Sequence, residues 1–240
     1  MVGKEALRLL YEEHRNCDKC TLLCESRLQP VFGSGSASAD IVFVGESPGE
    51  QEDEENETLM GKSGRLLLQL FDMSWPNLER LSELREIQDN ERYFASLKDF
   101  LEEYVFFTNT ILCRSAENRT PSKEEIKNCR TRLENTIYAI DPLLVIAAGK
   151  TAATTLLGKN VSILDKRGTI FDISVTSPST GKKVRYPMLA ILSPSYLLRK
   201  GDKSLVRQGQ GDTYSTIQDL KYGLDLITKH YELTRPNFGL

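Results

Sequence analysis

The sequence predicts a three-layer αβα sandwich with a central, mainly parallel four-stranded sheet. Three observations carry that prediction. Four continuously apolar runs stand at 40–45, 104–109, 143–149 and 188–192, and such runs suit strands covered on both faces. Stretches of helical periodicity separate them, as crossovers between parallel strands require. The 240 residues, with 40% hydrophobic and 27% charged side chains, have an ordinary soluble composition and enough length for one substantial domain or two small ones. No run approaches eighteen apolar residues, so no membrane span is expected. The opening MVGKEALRLLYEEHRNC lacks the long apolar run of an export signal, and a cytoplasmic location is the default expectation.

Taken in order, residues 4–15 read as a helix with Ala6, Leu7, Leu10 and Tyr11 as its apolar stripe. A cysteine-bearing loop follows, and Gly33-Ser34-Gly35-Ser36 leads into the first strand. Glu46-Ser47-Pro48-Gly49 is a turn, and an acidic loop connects it to Gly61-Lys62-Ser63-Gly64 and a helix through Met73. Residues 74–103 read as an inserted helical pair, with Leu78, Leu81 and Leu84 on one stripe and Tyr93, Phe94, Leu97 and Leu101 on the other. Beyond the second strand, Ser122 and Glu125 form a capping box for a helix that lasts to Ile140 and is ended by Pro142. A short helix over 150–157 follows the third strand, an edge hairpin is expected near 170–175, and the last helix covers 213–230. Ligands of such sheets bind outside the carboxyl ends of the strands. Glu46, Asn109, Gly149 and Ser193 all fall there.

Five cysteines, at 17, 20, 24, 113 and 129, make an odd number that argues against a disulfide framework. Cys17-x-x-Cys20 brings two thiolates together, and Cys113 with Cys129 supplies a second pair. Four thiolates from two regions suit either a [4Fe–4S] cluster or structural zinc, and spacing does not choose between them. Cys24, beside Leu22 and Leu23, is left over as a buried apolar cysteine. Charge is uneven although the net is only −3: residues 46–57 carry seven acids and no base, whereas 182–207 carry seven bases and one acid, Asp202. Gly61-Lys62-Ser63-Gly64 lacks the full phosphate-loop pattern.

These segments resemble the iron–sulfur branch of the uracil-DNA glycosylase superfamily, family 4 and its relatives. Cys17-x-x-Cys20 resembles the first ligand pair. Residues 45–53, GESPGEQED, resemble a GEAPG-x-x-ED motif, and 61–67 a GxAGxLL segment. Thr108-Asn109, Cys113 and Asn118-Arg119-x-Pro121 resemble the block TN-x-x-K-C-R-P-P-x-N-R-x-P, Cys129 matches a fourth ligand, and 193–199 resemble HPSYLLR. The resemblance implies one glycosylase-like domain over 1–240 with an insertion at 74–103. It also implies a [4Fe–4S] cluster on Cys17, Cys20, Cys113 and Cys129, and DNA as partner through a flipped or single-stranded base. A monomer is expected. Three positions depart from the pattern: Leu59 replaces a phenylalanine, Ser193 a histidine and Leu112 a lysine.

In a glycosylase the base leaves the stack for a tight pocket before the bond to the sugar breaks. The resemblance makes Glu46 the catalytic candidate and puts Ser47 where the best-known uracil glycosylases carry an aspartate. Asp53 is a weaker candidate within the acidic run. Asn109, whose amide both donates and accepts, is the candidate base reader, with Leu59 and Ser193 as pocket walls. The bland alternatives are a strand-end carboxylate for Glu46 and a turn residue for Asn109. Leu197 and Leu198 are candidate wedges, with Arg199 and Lys200 on phosphates and Lys182, Lys183 and Arg185 extending that track. The competing expectations are an enzyme releasing uracil or another altered base and a catalytically weak, DNA-binding iron–sulfur adaptor. A different reaction at a nucleoside is a third.

Overall fold

In the computed structural model, residues 3–75 and 79–234 are described. Each of the four apolar runs becomes a strand: β1 (Ile41–Gly45), β2 (Val105–Asn109), β3 (Leu144–Ala148) and, after the edge strand β4 (Ile170–Thr176), β5 (Lys183–Ile191). The order across the sheet is β2-β1-β3-β5-β4, with β4 alone antiparallel. The sheet therefore has five strands where the sequence predicts four. The expected hairpin is present, but its second arm is the fourth apolar run itself, which starts at Lys183 rather than Met188. Its first residues alternate, with Lys183, Arg185 and Pro187 exposed and Tyr186 buried, the pattern of a strand covered on one face only.

Alternate strand residues feed two cores. Ile41, Phe43, Val105, Phe107 and Ile146 face α4 (Lys62–Ser74), α6 (Asn90–Tyr104) and α11 (Gly211–Thr234). Val42, Val44, Phe106, Val145 and Ala147 face α1 (Lys4–His14), α7 (Lys123–Ile140) and α8 (Lys150–Leu157). Each such side chain contributes roughly 1.5–3 kcal/mol over its exposed state. This double coverage is why the runs are apolar on consecutive residues.

The helical pair comprises α5 (Glu79–Arg85) and α6, and it belongs to the first core layer: Leu81, Leu97, Phe100 and Leu101 are fully buried there. Leu78 lies outside the described residues. Two stretches read as loops are helical, α2 (Thr21–Ser26) in the cysteine segment and α3 (Glu50–Glu55) in the acidic one. Two further short helices, α9 (Ile163–Lys166) and α10 (Pro194–Lys200), follow Ser162 and Ser193. The capping box of α7 forms as expected, with Ser122 Oγ accepting from the Glu125 amide at 3.2 Å and Glu125 accepting from the Ser122 amide at 2.7 Å. Among the described residues no helix is long and apolar enough to cross a membrane.

Candidate active site and cysteine site

The parallel strands end together. Gly45 pairs with Asn109 across β1 and β2, and Ala148 with Ile191 across β3 and β5. Glu46, Asn109, Gly149 and Ser193 therefore form a row along the carboxyl edge, about 14 Å from β2 to β5 at the usual strand spacing. Within it the Thr151 hydroxyl donates to Glu46 Oε2. Asn109 lays its amide across Gly45, where a β-carbon would collide with Oδ1. Thr110 donates to the Gly45 carbonyl through both its amide (2.9 Å) and its hydroxyl (2.8 Å), and the Ile111 amide donates to the Glu46 carbonyl at 3.2 Å. The end of β2 is thereby pinned beside Glu46. Ser47 is half-buried in the turn that follows.

Ser193 is committed to the backbone. Its hydroxyl caps α10, accepting from the Tyr196 amide at 3.3 Å, and lies 3.2 Å from Ser195 Oγ. Gly149, at φ 89°, leaves room for it, since a β-carbon there would stand 3.0 Å from Ser193 Cβ. Leu59 holds a left-handed backbone, φ 67°, with Gly64 packed so closely on it that no other residue fits. Its neighbour Thr58 is hydrogen-bonded to Ser34, which pairs with Phe107 of β2, so Leu59 lies alongside β2.

Asp53 turns away from this row. It is 1% exposed, and its carboxylate accepts from the Leu28 amide at 2.9 Å and the Gln29 amide at 3.3 Å. Other acids of the same run also have structural partners: Glu50 meets Arg114, Glu52 accepts from the Gly61 amide, and Glu57 meets Lys98. Four acids of the stretch thus tie it to its surroundings, while Glu54 and Glu55 stand exposed.

Three of the four motif cysteines share one cluster just past the end of β2, and Cys17 is tied to it through its carbonyl and Arg27. Cys113 and Cys129 share a buried cluster with Leu23, Ile111 and Leu112, and Cys20 packs against it. Asn128 Nδ2 donates to Cys20 Sγ at 3.4 Å. Arg27 donates from Nη1 to Cys113 Sγ at 2.6 Å and from Nη2 to the Cys17 carbonyl. Burial pushes the Cys113 thiol up to about 12, against the pull of Arg27. Cys24 is half-buried rather than buried, and its Sγ lies 3.7 Å from the Cys17 carbonyl. Among the described residues no three Cys, His, Asp or Glu side chains close on a single ion position. The donors are thiols, with a guanidinium aimed at one sulfur, and that combination fits an anionic thiolate-bound centre.

A model of the uracil DNA glycosylase superfamily matches residues 32–217. The chain belongs to that superfamily. It is 33% identical over 205 residues to a type-4 uracil-DNA glycosylase of Thermotoga maritima, covering 85% of this chain and 89% of that protein. Type-4 uracil-DNA glycosylases of Pyrobaculum aerophilum (30% identical, 83% of this chain and 91% of the relative) and Archaeoglobus fulgidus (29%, 81% and 84%) are similar over nearly the same extent. Against the superfamily pattern, Leu112 sits in the apolar shelf by the cysteines, and its carbonyl accepts from the Val31 amide at 2.8 Å.

The nucleic-acid candidates divide in space. Leu197 is 1% exposed and anchors α10 in the core, so it is no wedge, while Leu198 is 36% exposed beside exposed Arg199 and Lys200. Lys182, Lys183 and Arg185 belong to the other end of the molecule. Met188 is level with Val145 near the start of β3, so residues 183–187 project past the amino ends of the parallel strands. Lys183 is eight residues before Ile191, roughly 26 Å along a strand. The residues that sequence reasoning missed are Thr151, Arg132 and Arg27. The signals for the first two were Thr151 two places past Gly149 and Arg132 one helical turn past Cys129.

Proposed function

We propose that this superfamily member is a DNA glycosylase that hydrolyses the N-glycosidic bond of uracil or another altered base. The observation that carries the reading is the pairing, at one sheet edge, of a Thr151-oriented Glu46 carboxylate with the Asn109 amide. In that reaction the bond from C1′ to the base nitrogen breaks and its electron pair leaves on the base. Water adds to C1′ and gives up a proton. Glu46 Oε2 is engaged by Thr151, and Oε1 has no partner among the described residues. That oxygen suits stabilising positive character on the sugar or orienting the water. Asn109 reads the base edge with one donor and one acceptor. Leu59 supplies an apolar wall without aromatic stacking, and Ser193 a hydroxyl already used as a helix cap.

Cys17, Cys20, Cys113 and Cys129 would hold a [4Fe–4S] cluster, which when bound supplies a rigid anionic support behind the strand end rather than a reacting group. Leu198, Arg199 and Lys200 are the DNA contacts favoured by exposure and by their place next to the row. Base release from oligonucleotides carrying uracil, hydroxymethyluracil, hypoxanthine or normal bases, followed by cleavage at abasic sites, tests the reading. Release of an altered base that falls on the order of 10²-fold or more in Glu46→Ala or Asn109→Ala is the expected result. Uracil release is expected to be slow, because Leu59 and Ser193 weaken binding of the base and its developing charge. The adaptor reading is favoured by the commitment of the Ser193 hydroxyl to α10. It wins if no base is released while DNA still binds.

A further inference from the structure

Arg132 is the largest side chain held fully out of water among the described residues, at 1% exposure, and no carboxylate pairs with it. Burying a cation without a counter-charge is costly. Besides a bond to Cys129 on its own helix, its hydrogen bonds go to the end of β2: Nη1 donates to Thr108 Oγ1 at 3.2 Å, and Nη2 to the Asn109 carbonyl at 2.8 Å and the Thr110 carbonyl at 3.0 Å. The buried Nε meets no acceptor among the described residues. Arg132 follows Cys129 by three residues on α7 and so shares its face, and the titratable groups beside it are Cys129 and Cys113. Neutral thiols do not offset a buried guanidinium. Thiolates do, and metal ligation makes them.

We propose that Arg132 is a positioning residue that ties the strand end carrying Asn109 to the cysteine site, so that loading of the cluster fixes the group that reads the base. The proposal rests on the cluster and base-reading roles assigned above. Arg27 provides the contrast: it reaches Cys113 and Cys17 but makes no bond to β2. It supplies charge to the sulfurs without the tie.

The test is hydrogen–deuterium exchange on the full-length, iron-loaded protein, read at the Thr110 and Ile111 amides that donate to Gly45 and Glu46. Iron retention against a chelator is followed in parallel. Arg132→Lys keeps the charge but loses the planar fork. It should hold iron nearly as long as the unaltered protein, while the two amides exchange about tenfold faster, as the loss of one charge-assisted hydrogen bond implies. Arg132→Gln should lose both properties, and removing iron from the unaltered protein should speed the same amides. Arg27→Gln should shorten iron retention yet leave the amides unchanged when compared at equal iron content. Unchanged exchange in Arg132→Lys, or in the iron-free unaltered protein, overturns the proposal. So does a rise spread equally through α11, which signals global unfolding. If Arg132→Gln fails to fold, Arg132→Lys and iron removal decide the matter. Failure of the unaltered protein to release any base, with the exchange coupling intact, would remove the excision reading and leave the tie standing.

Discussion

At Gly45 the missing side chain lets the Asn109 amide lie across the end of β1. Gly45→Ala should therefore push the amide aside at little cost in stability, because the colliding atom is at the end of a flexible side chain. Base release should fall about 10–100-fold, and the combination with Asn109→Ala should be no worse than Asn109→Ala alone, a non-additivity that a double-mutant cycle reads directly. Ser193→His trades one property for another. It removes the cap of α10, worth about 1 kcal/mol, and offers an imidazole to the departing base. A lower melting temperature with faster uracil release, larger when Leu59→Phe is added, is the expected outcome. Asp53→Ala should behave differently, losing about 1–3 kcal/mol of stability through its orphaned Leu28 and Gln29 amides while the folded fraction keeps its rate.

Element by element, α10 separates packing from contact within two adjacent leucines. Leu197→Ala should cost about 2–4 kcal/mol in denaturant unfolding, whereas Leu198→Ala should leave stability unchanged and weaken DNA binding. The start of α7 carries a pH signature. The Arg119 guanidinium, hydrogen-bonded at 2.6 Å, holds the Glu125 carboxyl down at about 2 against burial, with the Ser122 amide helping. A carboxyl whose folded pKa is lowered from 4.5 to about 2 contributes stability that is complete above 4.5 and lost as pH falls toward 2. Glu125→Gln should lower stability by about 1–2 kcal/mol at neutral pH. Its difference from the unaltered protein should shrink as melting is followed from pH 5 down toward pH 2.

Across the molecule, the two basic groups stand at opposite ends of the sheet, so they should respond differently to salt. Arg199→Ala and Lys200→Ala should each weaken DNA binding and flatten its salt slope by about one, as lost phosphate contacts do. Lys183→Ala and Arg185→Ala should leave the slope unchanged, and an equal effect from both groups would place DNA along the whole length of β5. Protein purified without oxygen should be brown, with about four irons per chain. Colourless protein holding one zinc would reject the cluster assignment.

The four buried strands, the α7 cap and the order of the motifs were legible from residues 1–240 because each depends on local periodicity or on residues close in the chain. So was the place of Glu46 and Asn109 on the ligand edge, since apolar runs that end in polar residues mark that edge of a parallel sheet, whereas their candidate roles came from the resemblance to the superfamily. The longer β5 was not legible, because its first residues alternate as an edge hairpin does and only pairing with β4 makes them a strand. Nor was the division between Leu197 and Leu198, which depends on the turn of α10 against the core. Asp53 looked like one charge among seven until the amides of Leu28 and Gln29 enclosed it. Arg132 was an ordinary helical arginine until packing put it between β2 and the cysteines. Local sequence thus determined which segments became strands and helices and which motifs they carried. Only the tertiary structure decided which charges are buried, and against what, because burial and its compensating partners come from segments far apart in the chain.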